Sequence, residues 1–331
     1  MKRIFVAIMA LGALVSCSKD ELVSQNREVI GFGSAFVDNS TRATSTTDPS
    51  YYTNGTNGYT QLTSFNVYGT VGGVNIFDNV AISKGDNAYG SAWTQAAGTN
   101  VQYWIPGANY VFDAVVDATS VTKDVANGTG LPTSLLYEVK TQKDMLYNRQ
   151  TVTSATANQG VVTFAFTHLL SKVKFSVQNT SAANASNYRF NLTEIKLTGV
   201  YDKASYKVST GSWDYTGTAG DYALDALIVN SASTQYNAKE VLLIPGSNVG
   251  VSIKGYIQTK TTVDGQETWK NLSTVEKIFN NVLGTDVKLT ANKAYHFAVT
   301  LGIGNEIKFT ATEMTGWVEP TDANGGNITL N

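Results

Sequence analysis

Apolar residues in this chain come in short alternating runs, and clusters of Gly, Asn, Asp, Ser and Thr close each one. A period of two sends successive side chains to opposite faces, so each run reads as a strand with one face on a core. The runs are Glu28 to Val37, Leu62 to Val71, Val74 to Ile82, Val101 to Ile105, Asn109 to Val116 and Val161 to Phe166. They continue as Val173 to Gln178, Arg189 to Thr198, Lys239 to Ile244, Val251 to Thr259, Thr268 to Leu272, Lys293 to Leu301 and Glu306 to Ala311. Helical periodicity reaches one or two turns at most, at Ala185 to Asn191 and Glu276 to Val282. The 17 Tyr and 13 Phe suit a pleated, half-buried surface, and the 29 Gly supply turns. The expected fold is all-β, with a spacing that suits sandwiches rather than βαβ units.

The front of the chain carries a different signal. Lys2 and Arg3 precede an apolar run from Ile4 to Val15, and Leu14-Val15-Ser16-Cys17 has the spacing of a lipobox. Residues 1–16 are therefore expected to be a lipoprotein signal peptide, Cys17 the lipidated residue, and 17–27 a tether. The competing readings are an ordinary secretory signal with an incidental cysteine, or a short membrane anchor. The run is about twelve residues against the ~20 that a spanning helix needs, which disfavours the anchor. Ser18-Lys19-Asp20-Glu21 resembles the acidic export tag of surface lipoproteins in some Gram-negative bacteria. Such a chain is expected at the outer membrane and cell surface, held by lipid on Cys17.

About 315 residues remain after such processing, more than one small core organises, so two domains are expected. Asn39 to Gly58 is a polar tract that parts the first strand from the rest, and Ser154 to Gly160 is a second one. The first domain is placed at 28–160, with a first strand at 28–37 and a loop at 38–58, and the second at 161–331. Lys plus Arg is 24 and Asp plus Glu is 26, for a net charge of -2, so no basic footprint for nucleic acid exists. With Cys17 alone, no intramolecular disulfide forms and thiolate metal sites are excluded.

Groups for catalysis are scarce. Only His168 and His296 are present, too few for a three-histidine zinc site, and each lies beside a strand core where a hydrogen-bonded packing role fits. Asp214, Asp221 and Asp225 stand in turn-rich segments, where Asp serves turns more often than sugar hydrolysis. Gly31-Phe32-Gly33 and Gly72-Gly73 lack the strand-then-helix setting of a phosphate loop. No catalytic residue, metal or cofactor is expected. Trp93, Tyr103, Trp104, Trp213 and Tyr215 are aromatics that bind sugars if exposed and fill a core if not.

Phe164 to Val173, reading FAFTHLLSKV, resembles the phrase that opens the second domain in fimbrillin-like proteins, the subunits of type V pili. Tyr103-Trp104-Ile105-Pro106-Gly107, then Tyr110-Val111-Phe112-Asp113-Ala114, Asp144-Met145-Leu146-Tyr147 and Leu242 to Gly246 (LLIPG) add to the likeness. Tyr295-His296-Phe297, running through Val299-Thr300-Leu301 to Trp317, completes it. The resemblance spans about residues 28 to 331 and implies two tandem transthyretin-like Greek-key β-sandwiches and a structural role in a surface fibre. It also implies export as a lipoprotein and removal of the first strand by an arginine-specific, trypsin-like protease.

Thr41-Arg42-Ala43 lies just past the first strand in exposed polar chain, so Arg42 and Ala43 flank the candidate cut; Arg27 is a rival that would leave the strand attached. Ile30, Phe32 and Phe36 alternate onto one face, where they would fill a groove worth ~5 to 9 kcal/mol at ~1.5 to 3 each. Excision would leave a trench with unpaired backbone, open to a strand from another subunit. Ile328 and Leu330 share one face of the final segment and are the candidate donor pegs; they equally suit completing their own sandwich. Expected partners are copies of itself or related pilus subunits, the protease, the membrane through Cys17, and a host or bacterial receptor. The alternative is a monomeric surface lipoprotein that binds glycans or host ligands through exposed aromatics.

Overall fold

The computed structural model describes residues 28–37, 51–53, 59–84, 92–179, 187–230, 234–236, 240–274, 276–279, 286–302 and 307–314. In chain order the strands open with β1 (Phe32–Val37), β2 (Tyr51–Thr53), β3 (Tyr59–Gln61), β4 (Ser64–Val71), β5 (Val74–Lys84), β6 (Trp93–Gln95) and β7 (Tyr110–Val116). β8 (Ser120–Lys123), β9 (Pro132–Glu138), β10 (Leu146–Val152) and β11 (Val162–His168) follow. Next come β12 (Ser171–Asn179), β13 (Tyr188–Tyr201), β14 (Lys203–Lys207), β15 (Ser212–Asp214), β16 (Ala219–Leu224), β17 (Leu227–Val229) and β18 (Thr234–Tyr236). The last are β19 (Val241–Leu243), β20 (Asn248–Val263), β21 (Gln266–Asn271), β22 (Lys277–Phe279), β23 (Val287–Lys288), β24 (Lys293–Leu301) and β25 (Ile307–Met314). The protein is all-β, with a single 3-10 turn at Val139–Thr141 among the described residues.

Two helical turns expected from sequence are strands instead. Residues 188–191 lie in β13, paired with β17 and β20, and Lys277–Phe279 pairs with β20 as β22. Cross-strand pairing supplies backbone partners there, whereas a one-turn helix leaves its end groups without them. Val101 to Ile105 is not a strand either; it forms an isolated bridge, Val29 to Tyr103.

The first sheet has the order β1-β11-β10-β7-β4-β5-β6. It rolls until its two ends meet, and Gln95 Nε2 on β6 donates to the Ile30 carbonyl at 3.1 Å. The enclosed core is rich in aromatics: Phe32, Phe65, Phe77, Trp104, Tyr110, Phe112, Phe164 and Phe166 are all buried there. Gly69 on β4 allows this density, because a Cβ would stand 2.9 Å from both Phe77 and Phe112.

The second core lies between a sheet built on β12, β24 and β25 and one built on β13 and β20. Val173, Phe175 and Val177 of β12 and Phe297, Val299 and Leu301 of β24 face Leu192, Ile195 and Leu197 of β13 and Val251 and Ile253 of β20. A third sheet, β15-β14-β9-β8, joins strands from both halves of the sequence and adds Leu135, Tyr137 and Ala204 to this core. The outer face of β7 is covered as well: Tyr68, Val115 and Tyr147 belong to the second core. This double burial explains why β7 reads as nearly continuous apolar sequence.

The sequence boundary at 160/161 falls ahead of β11, which the first sheet holds between β10 and β1. The changeover between cores comes at His168 to Ser171. Phe164 and Phe166 enter the first core, while Leu169, Leu170 and Val173 enter the second. His168 Nδ1 lies 2.6 Å from Asp144 Oδ2 with both side chains fully buried, and the Leu169 N–H donates to the Met145 carbonyl at 3.0 Å. Gln142 clamps Leu242 by accepting from its N–H at 2.9 Å and donating to its carbonyl at 3.1 Å.

Candidate functional site

The segment from Glu28 to Val37 closes the first sheet, and its hydrogen bonds change side partway along. Near its start it runs beside residues 102–104: the Trp104 N–H donates to the Glu28 carbonyl at 3.1 Å, and the Ile30 N–H donates to the Gln102 carbonyl at 2.8 Å. From Gly31 on it turns to β11. The Val162 N–H donates to the Gly31 carbonyl at 2.8 Å, and β1 then runs parallel to β11, Phe32 opposite Val162 and Phe36 opposite Ala165. Glu28 ties the start of the segment, its N–H donating to Ala157 O at 3.1 Å and its carboxylate accepting from the Gly160 N–H at 2.9 Å.

Alternation decides what the segment buries. Ile30 is 0% exposed and Phe32 4%, while Val29, bridged to Tyr103 within the first seam, is 43% exposed. The Phe32 ring meets Phe77 at 5.3 Å and Phe112 at 6.0 Å, both edge-on, and stacks on Phe164 at 6.1 Å. Burying Ile30 and Phe32 is worth ~3 to 6 kcal/mol on transfer grounds. Phe36 is described only in its backbone pairing. Cys17, Arg42, Ala43, Ile328 and Leu330 lie outside the described residues.

Two polar side chains at the groove are engaged with backbone. Trp104 Nε1 donates to Gly160 O at 3.0 Å, and the Tyr110 hydroxyl accepts from the Ile105 N–H at 2.7 Å. An aromatic trench edged by carbonyls and N–H groups suits an extended apolar strand. The sequence pattern named Ile30 and Phe32, which are buried, but not Val161. Its side chain lies over the outward face of Gly31 and Gly33, and the alternating glycines are the signal that marks it.

The remaining candidates sit elsewhere. His168 is in the buried pair with Asp144, whose carboxyl burial pushes up against the pull of His168 and Lys172. His296 Nε2 lies 2.6 Å from the Ser176 hydroxyl. Asp214 and Asp221 are surface partners of Lys207 and Lys196 at 3.2 and 3.6 Å, and Asp225 is exposed. Trp104 is buried; Trp93 packs on Phe65, Trp213 on Tyr206, and Tyr215 stacks on Tyr201. Tyr103 is 49% exposed. Among the described residues no cluster of His, Cys, Asp and Glu has the makings of a metal site, and no helix is long and apolar enough to cross a membrane.

A rolled sheet closed by residues 28–37 and joined to a second β-core defines an all-β protein. The chain belongs to the fimbrillin-like family, whose model matches residues 41–317. That membership sets it among fimbrial structural and adhesion proteins rather than enzymes. Solved structures agree on the fold. A fimbrial protein from Bacteroides vulgatus is 16% identical and aligns over 88% of this chain and 99% of its own with a TM-score of 0.56. A protein from Bacteroides uniformis assigned to cell adhesion is 16% identical over 89% of this chain and 99% of its own, TM-score 0.52. One from Bacteroides ovatus, similarly assigned, is 13% identical over 89% and 99%, TM-score 0.51. No curated protein matches the chain in sequence.

Proposed function

We propose that this protein is a structural subunit of a surface fimbria, built as tandem sandwiches, exported as a lipoprotein on Cys17 and assembled by strand exchange after a cut between Arg42 and Ala43. The observation that carries this reading is the placement of Ile30 and Phe32. Both are buried in an otherwise complete aromatic core, on a segment that precedes every other described strand and is held along two short seams. A segment of that kind leaves as one piece when its link to the body is severed. The family match, which begins at residue 41, does not include it.

The vacated trench exposes Phe77, Phe112 and Phe164 together with unpaired backbone on residues 102–104 and β11. Such an edge recruits a replacement strand. In the assembled fibre the replacement comes from a neighbouring subunit, with Ile328 and Leu330 as the pegs this chain offers in turn. A trypsin-like protease, other fimbrial subunits and the outer membrane are the partners this implies, and adhesion to a receptor is the task of the fibre.

Limited trypsin treatment of the unlipidated precursor tests the reading. The wild type is expected to lose the segment through Arg42 and to form ladders resistant to SDS, and Arg42→Ala to remain intact and monomeric. Ladders from uncleaved Arg42→Ala, or clean loss of the segment with no assembly, would overturn it.

A further inference from the structure

Ile30 and Phe32 point into the core, so Gly31 and Gly33 face outward, and the side chain of Val161 lies across both. A Cβ built on Gly31 would stand 3.2 Å from Val161 Cγ1. One on Gly33 would stand 3.0 Å from Cγ2 and 3.4 Å from Cβ of the same valine. The first two distances are shorter than side chains ordinarily tolerate, and each of the two methyls guards one glycine.

Rotation does not open both positions. A valine has three staggered places on Cβ and fills two of them with methyls. Turning χ1 clears one glycine at a time, because two methyls over three places leave at most one place empty. A strand with side chains at both outward positions therefore meets a methyl in every rotamer. Val161 is itself 58% exposed and anchored next to Val162, whose N–H bonds the Gly31 carbonyl, so it stays with the groove when β1 leaves.

We propose that Val161 is a specificity-determining residue that ranks the strands entering the groove: a strand of the pattern large, small, large, small from a different subunit enters ahead of this chain's own 327–331 segment, which still enters when no better strand is offered. This rests on the strand-exchange reading above. With Ile328 and Leu330 seated as the two pegs, Thr329 takes the position of Gly31 in either chain direction. The position of Gly33 then falls to Asn331 in one direction and to Asn327 in the other. Both gated places receive a side chain, one of them β-branched. A partner strand with Gly, or with Gly and Ala, at those two places avoids the contact.

The test uses the full unlipidated chain, nicked after Arg42, offered an excess of fluorescent peptides. One peptide copies residues 28–37, a second carries Gly31→Thr and Gly33→Asn, and a third copies residues 322–331. The copy of 28–37 is expected to exchange in at least about tenfold better than the other two, the scale of an overpacked contact. In Val161→Ala, with its remaining Cβ, the gap is expected to shrink, and in Val161→Gly to close to within about threefold. Equal uptake of all three by the wild type, or a gap that survives in Val161→Gly, overturns the selectivity while leaving strand exchange standing. Failure of even the 28–37 copy to enter the nicked chain overturns strand exchange and this proposal with it.

Discussion

Replacing Phe32 with Ala removes the side chain that ties the N-terminal strand most firmly to the first core. The ring touches three others, at 5.3 Å to Phe77, 6.0 Å to Phe112 and 6.1 Å to Phe164, and is 4% exposed. Its loss costs the transfer term plus the cavity left among rigid aromatic neighbours, ~3 to 5 kcal/mol in total. Strand release requires breaking the two backbone seams and exposing Ile30 and Phe32 while the rest of the sheet stays folded. The mutation therefore raises the open fraction by ~10² to 10³·⁵, at one decade per ~1.4 kcal/mol. Amide exchange reads this directly, because the N–H groups of Ile30, Trp104 and Val162 each donate across one of the seams. Exchange at those amides is expected to accelerate by that factor, while amides of β24 in the second core hold near their wild-type rate. Acceleration below tenfold at all three, or an equal rise in β24, would refute the argument that Phe32 holds a locally detachable strand.

Three further outcomes are expected. Asp113 is fully buried and takes two hydrogen bonds at 2.7 Å from Arg149 and one at 2.6 Å from the Tyr147 hydroxyl. Arg149→Met leaves that carboxylate short of partners and should cost about 2 kcal/mol in urea unfolding, below the ~3 to 5 of a fully buried pair because 38% of the Arg149 side chain meets solvent; adding Asp113→Asn should recover part of the loss. Burial holds the Asp144 carboxyl above its ordinary range, against the attraction of His168 and Lys172 and with the help of Asp117. A raised carboxyl pKa means tighter proton binding in the folded state, so its contribution is complete below the ordinary value of ~3.9 and is lost as pH rises through the raised one. Wild-type stability minus that of Asp144→Asn should accordingly fall as pH climbs from about 4, and a flat or rising difference in denaturant midpoints contradicts the assignment. Gly246, with φ of +84°, has no room for a Cβ beside the Tyr215 hydroxyl. Gly246→Ala should lower stability by more than ~1 kcal/mol in thermal melts, and Tyr215→Phe should cost less in that background than in the wild type.

Alternation made legible those strands whose inner face alone is apolar, such as β13, β20 and β24, because burial and period largely coincide there. It misled at Val101 to Ile105. Val101, Tyr103 and Ile105 are the exposed residues of that run, 53%, 49% and 42%, and the buried one is Trp104. Pro106 and the turn at Gly107 cut the segment off before a ladder extends. β8, β14 and β15 were invisible for the opposite reason: β14 reads Lys-Ala-Ser-Tyr-Lys and buries only Ala204 fully, so its place is set by pairing with β9 across the two halves. The boundary at 160/161 followed a polar loop, yet it is the parallel pairing of β1 with β11 that assigns β11 to the first core. Ile30 and Phe32 were legible from period alone. Val161 was not, since two glycines in a strand announce a close approach without naming what approaches.

On the strand-exchange proposal, residues 28–37 are a replaceable stave of the first sheet. Native mass spectrometry of the trypsin-nicked chain, mixed with an isotope-labelled peptide of residues 28–37, tests it most directly. One labelled peptide is predicted to replace one unlabelled segment in each molecule, with SDS-resistant ladders falling away as the peptide is raised. Retention of the original segment at every peptide concentration, with ladders undiminished, would contradict it.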